Sequence, residues 1–152
     1  MKIRFATKED VDTVLALGRE MHAESRFAHY PLNDEKAVST IHGMIANPHK
    51  ACLLLAQRAD GKIAGMLAAY MSEFFFCDAI AVQDRWFYVL PQYRGSSAAV
   101  KLIIALRQWA ESKKVNELCI NMSVAVEMER FNKLMTHMGF KCCGSNFSIV
   151  LT

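Results

Sequence analysis

The run Ala51 to Gln57 is continuously apolar and of strand length, and Ile63 to Met71 returns as a second run beyond Ala59-Asp60-Gly61-Lys62. Asp-Gly between two such runs is a strong short-range signal for a β-hairpin, because glycine supplies the positive φ that a tight turn of matching twist requires. An antiparallel strand pair therefore lies in the middle of the chain, and the other elements are arranged around it.

Upstream, Ile3 to Ala6 reads as a short strand, and Thr7 followed by Asp10 reads as an N-cap with an acidic first turn. The helix that follows places Val11, Val14, Leu15, Leu17, Gly18 and Met21 on one side and ends near His22. Asn33 or Asp34 caps a second helix through Ile41, Met44 and Ile45, which Asn47-Pro48 stops. Downstream, Glu73-Phe74-Phe75-Phe76-Cys77 fits either a continued strand or an apolar loop, while Arg85 to Leu90 is a strand ended by Pro91.

From Ser97 to about Lys113, Ala99, Leu102, Ile103, Leu106, Trp109 and Ala110 keep helical spacing. Glu117 to Asn121 is a short strand, and Ala125 to Met138 a helix with Gly139 as its C-cap. Phe140 to Cys143 and Phe147 to Leu151 close the chain as a strand pair around Gly144-Ser145-Asn146. This order gives an α/β fold with a central mixed, mostly antiparallel sheet of six or seven strands, flanked by about four helices. It is expected to form a single domain over residues 1–152.

At 152 residues, 53% hydrophobic and 22% charged, the chain carries enough apolar material for one core. A net charge of +3 spread over scattered cations such as Lys113, Lys114, Lys133 and Lys141 argues against a nucleic-acid partner. No stretch approaches the roughly 20 apolar residues of a membrane helix, and Met1 to Phe5 lacks the apolar run of a signal peptide, so no membrane partner and a cytoplasmic location are expected. The five cysteines, Cys52, Cys77, Cys119, Cys142 and Cys143, contain no Cys-x-x-Cys pair or zinc-like spacing with histidine. They read as reduced core or near-core thiols, with no metal.

The stretch Val89 to Val100 runs from a strand through Pro91-Gln92-Tyr93-Arg94-Gly95-Ser96-Ser97 into the long helix. A helix N-terminus exposes unpaired N–H groups and the positive end of the helix dipole, so a tight strand-to-helix turn is a ready anion site. Gly95 permits positive φ or close approach of a ligand, and the small Ser96, Ser97 and Ala98 leave room for a phosphate. Taken alone, the same serines read first as simple helix caps and only then as a phosphate site.

With its flanks, Phe87 to Gly95 resembles the acyl-CoA-binding motif of GCN5-related N-acetyltransferases (GNAT), a strand ending in Val-x-Pro, then Gln/Arg-x-x-Gly-x-Gly/Ala, then a helix. Met138-Gly139-Phe140 looks like the Gly-Phe that ends the family's next helix, and the element order is similar over nearly the whole chain. The variant Arg-Gly-Ser-Ser-Ala is similar to acetyltransferase-like proteins of tailed bacteriophages, which would place the protein in a host cytoplasm.

The resemblance implies acetyl-CoA as cosubstrate. The backbone amides of Arg94, Gly95, Ser96, Ser97 and Ala98 would hold its pyrophosphate, and the strand edge at Tyr88, Val89 and Leu90 its pantetheine arm. That arm would thread between this strand and Leu118 to Asn121, with the Val89 amide meeting the thioester carbonyl. Asn121 and Ser123 would be polar contacts to the arm or thiol, Ser123 fitting equally as a helix cap. Two departures stand out: Ser97 occupies the last small position of the turn, and Met135 occupies the place where many members carry a tyrosine that protonates the departing thiolate.

For the base, the family's carboxylate position falls near Gln83, and Asp84 beside it is the candidate, with a solvent-facing or Arg85-paired strand residue as its alternative. Glu24, Arg26, Phe27, His29 and Tyr30 lie in a segment without periodicity, which suits a wall for the acceptor as well as an ordinary surface loop. Phe74-Phe75-Phe76 reads as core or as the contact of a homodimer. The function implied is an acyltransferase that moves an acetyl group to a primary amine, on a small molecule or a protein, by direct attack in a ternary complex. The alternative is a catalytically weak or inactive protein of the same fold that acts through CoA or a protein partner.

Overall fold

The computed structural model describes residues 1–121, 128–144 and 147–151. Its elements are β1 (Lys2–Phe5), a 3-10 turn (Lys8–Asp10), α1 (Val11–Glu24), α2 (Asp34–Ala46), β2 (Ala51–Gln57), β3 (Ile63–Glu73) and β4 (Ile80–Val89). A second 3-10 turn (Pro91–Tyr93) leads to α3 (Ala98–Ser112), β5 (Glu117–Cys119) and α4 (Met128–His137). The strands form one sheet in the order β1-β2-β3-β4-β5, antiparallel throughout except that β5 runs parallel to β4.

The hairpin closes as its turn residues demand. Gly61 has φ +85°, the Asp60 carboxylate accepts from the Lys62 amide at 3.1 Å, and the ladder runs from Gln57 opposite Ile63 to Ala51 opposite Tyr70. Ahead of α1, Asp10 accepts from the Thr7 amide at 2.8 Å and takes both Arg4 Nη1 and Nη2 at 2.7 Å. The Arg4 guanidinium thereby holds the Asp10 carboxyl down to about 2. Asn33 caps α2 by accepting from the Lys36 amide. At the end of α4, Gly139 has φ +87°, its amide donates to Thr136 and that of Phe140 to Met135, the paired bonds of a Schellman cap.

β2 is apolar on both faces because both are covered. Leu53 and Leu55 face α1 and α2, packing with Val11, Val14, Leu17, Ile41, Met44, Met66, Ala68 and Tyr88. Cys52, Leu54 and Ala56 face α3 and α4, packing with Leu67, Val82, Leu102, Ile103, Leu106, Trp109 and Met135. Three layers result, with the sheet in the middle. No described helix is long and apolar enough to cross a membrane.

Three expectations are corrected. The sheet has five strands rather than six or seven, because the segments at 140–144 and 147–151 form no strand among the described residues. Phe147, Ile149 and Leu151 are 94%, 83% and 86% exposed, so the alternation that would make a buried strand face meets no surface to cover it. Phe74 to Phe76 is not core: β3 continues to Glu73, β4 already begins at Ile80, and Phe75 and Phe76 stand in the intervening turn 99% and 69% exposed. Of the thiols only Cys52 is buried, Cys119 is half-buried, and Cys77, Cys142 and Cys143 are exposed.

β4 carries a bulge. Ala69 pairs with Asp84 and Ala68 with Trp86, which leaves Arg85 as the extra residue. Val82 therefore faces α3 while Trp86 and Tyr88 face α1 and α2, although all three are even-numbered. Asp84, opposite Ala69, shares the α3 face with it.

Candidate active site

β5 is short, and its pairing with β4 ends at Gln83 opposite Cys119. From Asp84 onward the two strands part, so one edge of β4 carries no β5 partner up to Val89. The Leu90 amide donates to Ala64 at 3.0 Å on the β3 side. By the alternation of strand backbone groups, the Val89 amide and carbonyl then point the opposite way, into the opening.

Gly65 sets how closely β3 approaches this end of β4. A Cβ placed on it would lie 2.7 Å from the Tyr88 carbonyl oxygen and 3.1 Å from Val89 Cα. Only glycine fits there without moving the strand.

The turn after β4 is built from local bonds. The Tyr93 amide donates to Leu90 O, Arg94 to Pro91 O, Ser96 to Tyr93 O and Ala98 to the Ser96 hydroxyl. Gly95 takes φ +86°, and the amides of Gly95, Ser97, Ala99 and Val100 have no acceptor among the described residues. Ser97 occupies the cap position of α3 without a side-chain bond to the helix. Four open donors at the positive end of a 15-residue helix make an anion cradle. Gly95, Ser96 and Ser97 are exposed, and the Arg130 guanidinium of α4 reaches over them, with Nη2 2.7 Å from where a Gly95 Cβ would sit.

Asp84 is half-buried where β4 and β5 part, and its Oδ1 accepts from the Asn121 amide at 2.8 Å and from Asn121 Nδ2 at 2.9 Å. Burial pushes its carboxyl above the ordinary aspartate range, against the pull of the Asn121 bonds. Asn121 thus spends its donors on Asp84 and keeps its side-chain oxygen for other contacts. Gln83 faces the opposite side and accepts from the Tyr70 hydroxyl at 3.2 Å.

Tyr88, Val89 and Leu90 lie on and just past the end of β4, but Tyr88 does more than lend backbone. Its hydroxyl donates to Glu24 Oε1 from the last turn of α1, and Arg94 Nη2 reaches Glu24 Oε2 at 2.6 Å. Arg94 Nε also donates to the Val89 carbonyl at 3.1 Å. Burial, followed by the Glu24 carboxylate, raises the Tyr88 hydroxyl far above its ordinary range, so it stays protonated.

Arg26, Phe27, His29 and Tyr30 are all exposed in the turns after α1. Arg26 lies 4.5 Å from the Phe27 ring and donates to Ser148 Oγ at 2.5 Å, while His29 packs on Tyr30 with ring centroids 4.0 Å apart. Ser123 lies outside the described residues. Met135 is 8% exposed and belongs to the α3-side core. Among the described residues no group of three or more His, Cys, Asp or Glu side chains converges as a metal site would require.

Of the amides expected to hold a pyrophosphate, those of Arg94, Ser96 and Ala98 are spent on local bonds, while those of Gly95 and Ser97 have no acceptor among the described residues; Asp84 and Asn121 meet as a bonded pair. Sequence reasoning missed the bonding role of Glu24 and the place of Arg130. A carboxylate in the last turn of a helix opposes the helix dipole, and that misplacement was the signal that Glu24 answers to a distant cation.

The sequence profile described as "Acetyltransferase (GNAT) family" matches residues 17–140. No curated protein matches the chain in sequence. A solved structure of a probable acetyltransferase superimposes with a TM-score of 0.76 at 18% identity, covering 100% of this chain and 99% of that one. AAC(6')-Iy in complex with the bisubstrate analog CoA-S-monomethyl-acetylneamine gives 0.76 at 19% identity, covering 99% and 97%. A ribosomal-protein-alanine N-acetyltransferase from Brucella melitensis biovar Abortus 2308 gives 0.71 at 21% identity, covering 99% and 100%. These likenesses concern the fold, and with the profile spanning most of the sequence, the chain belongs to the GNAT family of acetyltransferases.

Proposed function

We propose that this protein transfers an acetyl group from acetyl-CoA to a primary amine by direct attack within a ternary complex. The observation that carries the reading is the conjunction of a four-amide cradle at the head of α3 with a β4 edge left open beyond Gln83. The cradle suits a pyrophosphate, and the open edge suits an extended, amide-bearing arm that takes the place of a missing strand. Among the solved relatives, the AAC(6')-Iy complex carries a CoA-containing analog.

Bound acetyl-CoA supplies the thioester that an amine attacks. The amides of Gly95, Ser97, Ala99 and Val100 bind and orient the diphosphate. The Val89 amide, aimed into the opening, is the donor placed to meet charge developing on the carbonyl oxygen. Asp84, whose carboxyl burial raises above the ordinary aspartate range, would take the ammonium proton, directly or through water. No residue need form a covalent intermediate. The acceptor would enter from the side of Arg26, Phe27, His29 and Tyr30.

A second reading keeps CoA binding without turnover. Its support is Met135, which fills core where a proton donor would stand in the family.

Calorimetry with acetyl-CoA, run beside a free-thiol release assay on a panel of amines, separates the two. Micromolar binding with thiol release for some amines is the expected result, and binding without release across the panel would favour the second reading. Gly95→Glu places a charged side chain at φ +86° in the cradle and should weaken acetyl-CoA binding at least about tenfold, roughly 1.4 kcal/mol. Unchanged affinity in a folded variant would remove the turn from the site.

A further inference from the structure

Glu24 joins the end of α1 to the end of β4 and the turn that follows it. One carboxylate oxygen takes the Tyr88 hydroxyl at the end of β4, and the other takes Arg94 Nη2 at 2.6 Å, one residue before Gly95. Arg94 is itself fixed at a second point by Val89 O at 3.1 Å, and its guanidinium carbon lies 5.6 Å from the Tyr88 ring centroid. The Glu24 and Arg94 side chains are only 27% and 23% exposed, so water screens this pair less than a surface bridge.

On the other side, Glu24 is the last residue of α1, and the segment with Arg26, Phe27, His29 and Tyr30 begins directly after it. Among the described residues, the backbone amides of this segment bond only locally: Ser25 to His22 O, Phe27 to Ser25 Oγ, Ala28 to Ser25 O and Tyr30 to Phe27 O. At its origin the segment is tied to the end of β4 and the turn after it through Glu24, and at its far end Asn33 caps α2. The Arg26 side chain also donates to Ser148 Oγ in the C-terminal segment.

We propose that Glu24 is a positioning residue that makes the segment after α1 respond to occupancy of the Arg94–Ala98 turn. The proposal rests on the reading that this turn holds the diphosphate of acetyl-CoA. A diphosphate on the open amides fixes the backbone of the turn and with it the guanidinium of Arg94. Arg94 then holds the Glu24 carboxylate, and Glu24 holds the first residues of the acceptor wall. Direct attack needs both substrates in register, and this link orders the acceptor side when the acyl donor is in place.

The test is hydrogen exchange of residues 25–33 with and without saturating CoA, which requires no knowledge of the acceptor. In the unmodified chain CoA should slow exchange there by about fivefold or more, the low end of ordinary coupling between sites. Glu24→Gln and Arg94→Lys, at CoA concentrations raised to saturate each, should reduce the response to less than about twofold. Arg94→Lys carries the test alone if Glu24→Gln does not fold. Arg19→Gln breaks the exposed 2.6 Å bridge to Asp34 and loosens the same helix pair without touching the turn. It should leave the CoA response intact.

A full response in Glu24→Gln, or a lost one in Arg19→Gln, overturns the proposal. CoA binding to the unmodified chain with no change at 25–33 overturns it alone, whereas no CoA binding overturns the functional reading and the proposal together.

Discussion

Asp84 stands between two opposed demands. Burial raises its carboxyl while the Asn121 donors lower it, and burial prevails. Because the folded value lies above the unfolded one, the stabilising contribution is full below the ordinary aspartate range and is lost as pH rises through the folded value. Asp84→Asn keeps the shape and an oxygen for the Asn121 donors while removing the charge. Its melting temperature should equal or exceed that of the unmodified protein at pH 8, while amine-dependent thiol release falls by about a hundredfold or more, the usual scale for a lost general base. Thermal unfolding at pH 5 and pH 8 beside the release assay checks both halves. A marked loss of stability at pH 8 would make the carboxylate a structural clamp between β4 and β5.

At the scale of elements, what was legible in the sequence is what local chemistry alone dictates. The Asp60-Gly61 hairpin, the Asn33 cap, the amphipathic α3 and the Gly139 cap each depend on a few neighbouring residues, and each is found as read. The turn at Gly95 was legible for the same reason. The bulge at Arg85 was not, because an extra residue leaves composition and hydrophobicity unchanged and shows itself only in which face each side chain meets. Nor were the partners of Glu24, which lie 64 and 70 residues away. The closing strand pair was read around the turn signal Gly144-Ser145-Asn146, but a strand also needs a partner ladder and a covered face, and Phe147, Ile149 and Leu151 stand exposed. Gly65 couples element geometry to the site: Gly65→Ala should destabilise by about 1–3 kcal/mol, since the clash is with backbone, and should weaken CoA binding by moving Val89. Urea unfolding and calorimetry on one preparation measure the two effects, and an unperturbed variant would mean that β3 can shift away freely.

For the whole molecule, the layers sort the thiols as they sort the site. Cys52 lies in the middle layer under α3, where burial pushes its thiol up to about 12, whereas Cys77, Cys142 and Cys143 are exposed. Alkylation of the native protein followed by mass analysis should label those three readily and leave Cys52 unmodified until the chain is unfolded. Early labelling of Cys52 would mean that the sheet opens far more often than its packing implies. The same layering gives the bulge in β4 a consequence for how this chain tolerates change in length. With Arg85 removed, Asp84 opposite Ala69 and Trp86 opposite Ala68 become neighbours in a regular ladder, and every other side chain of β4 keeps its face. A residue lost elsewhere in β4, with the bulge kept, turns over the part of the strand on one side of it, carrying a polar group into one apolar layer or a large ring out of the other. Losses of single residues should therefore be tolerated at Arg85 as well as in the turn at 74–79, which has no side to keep, and be resisted elsewhere in β4, where a change of one in length is a change of face for the residues beyond it.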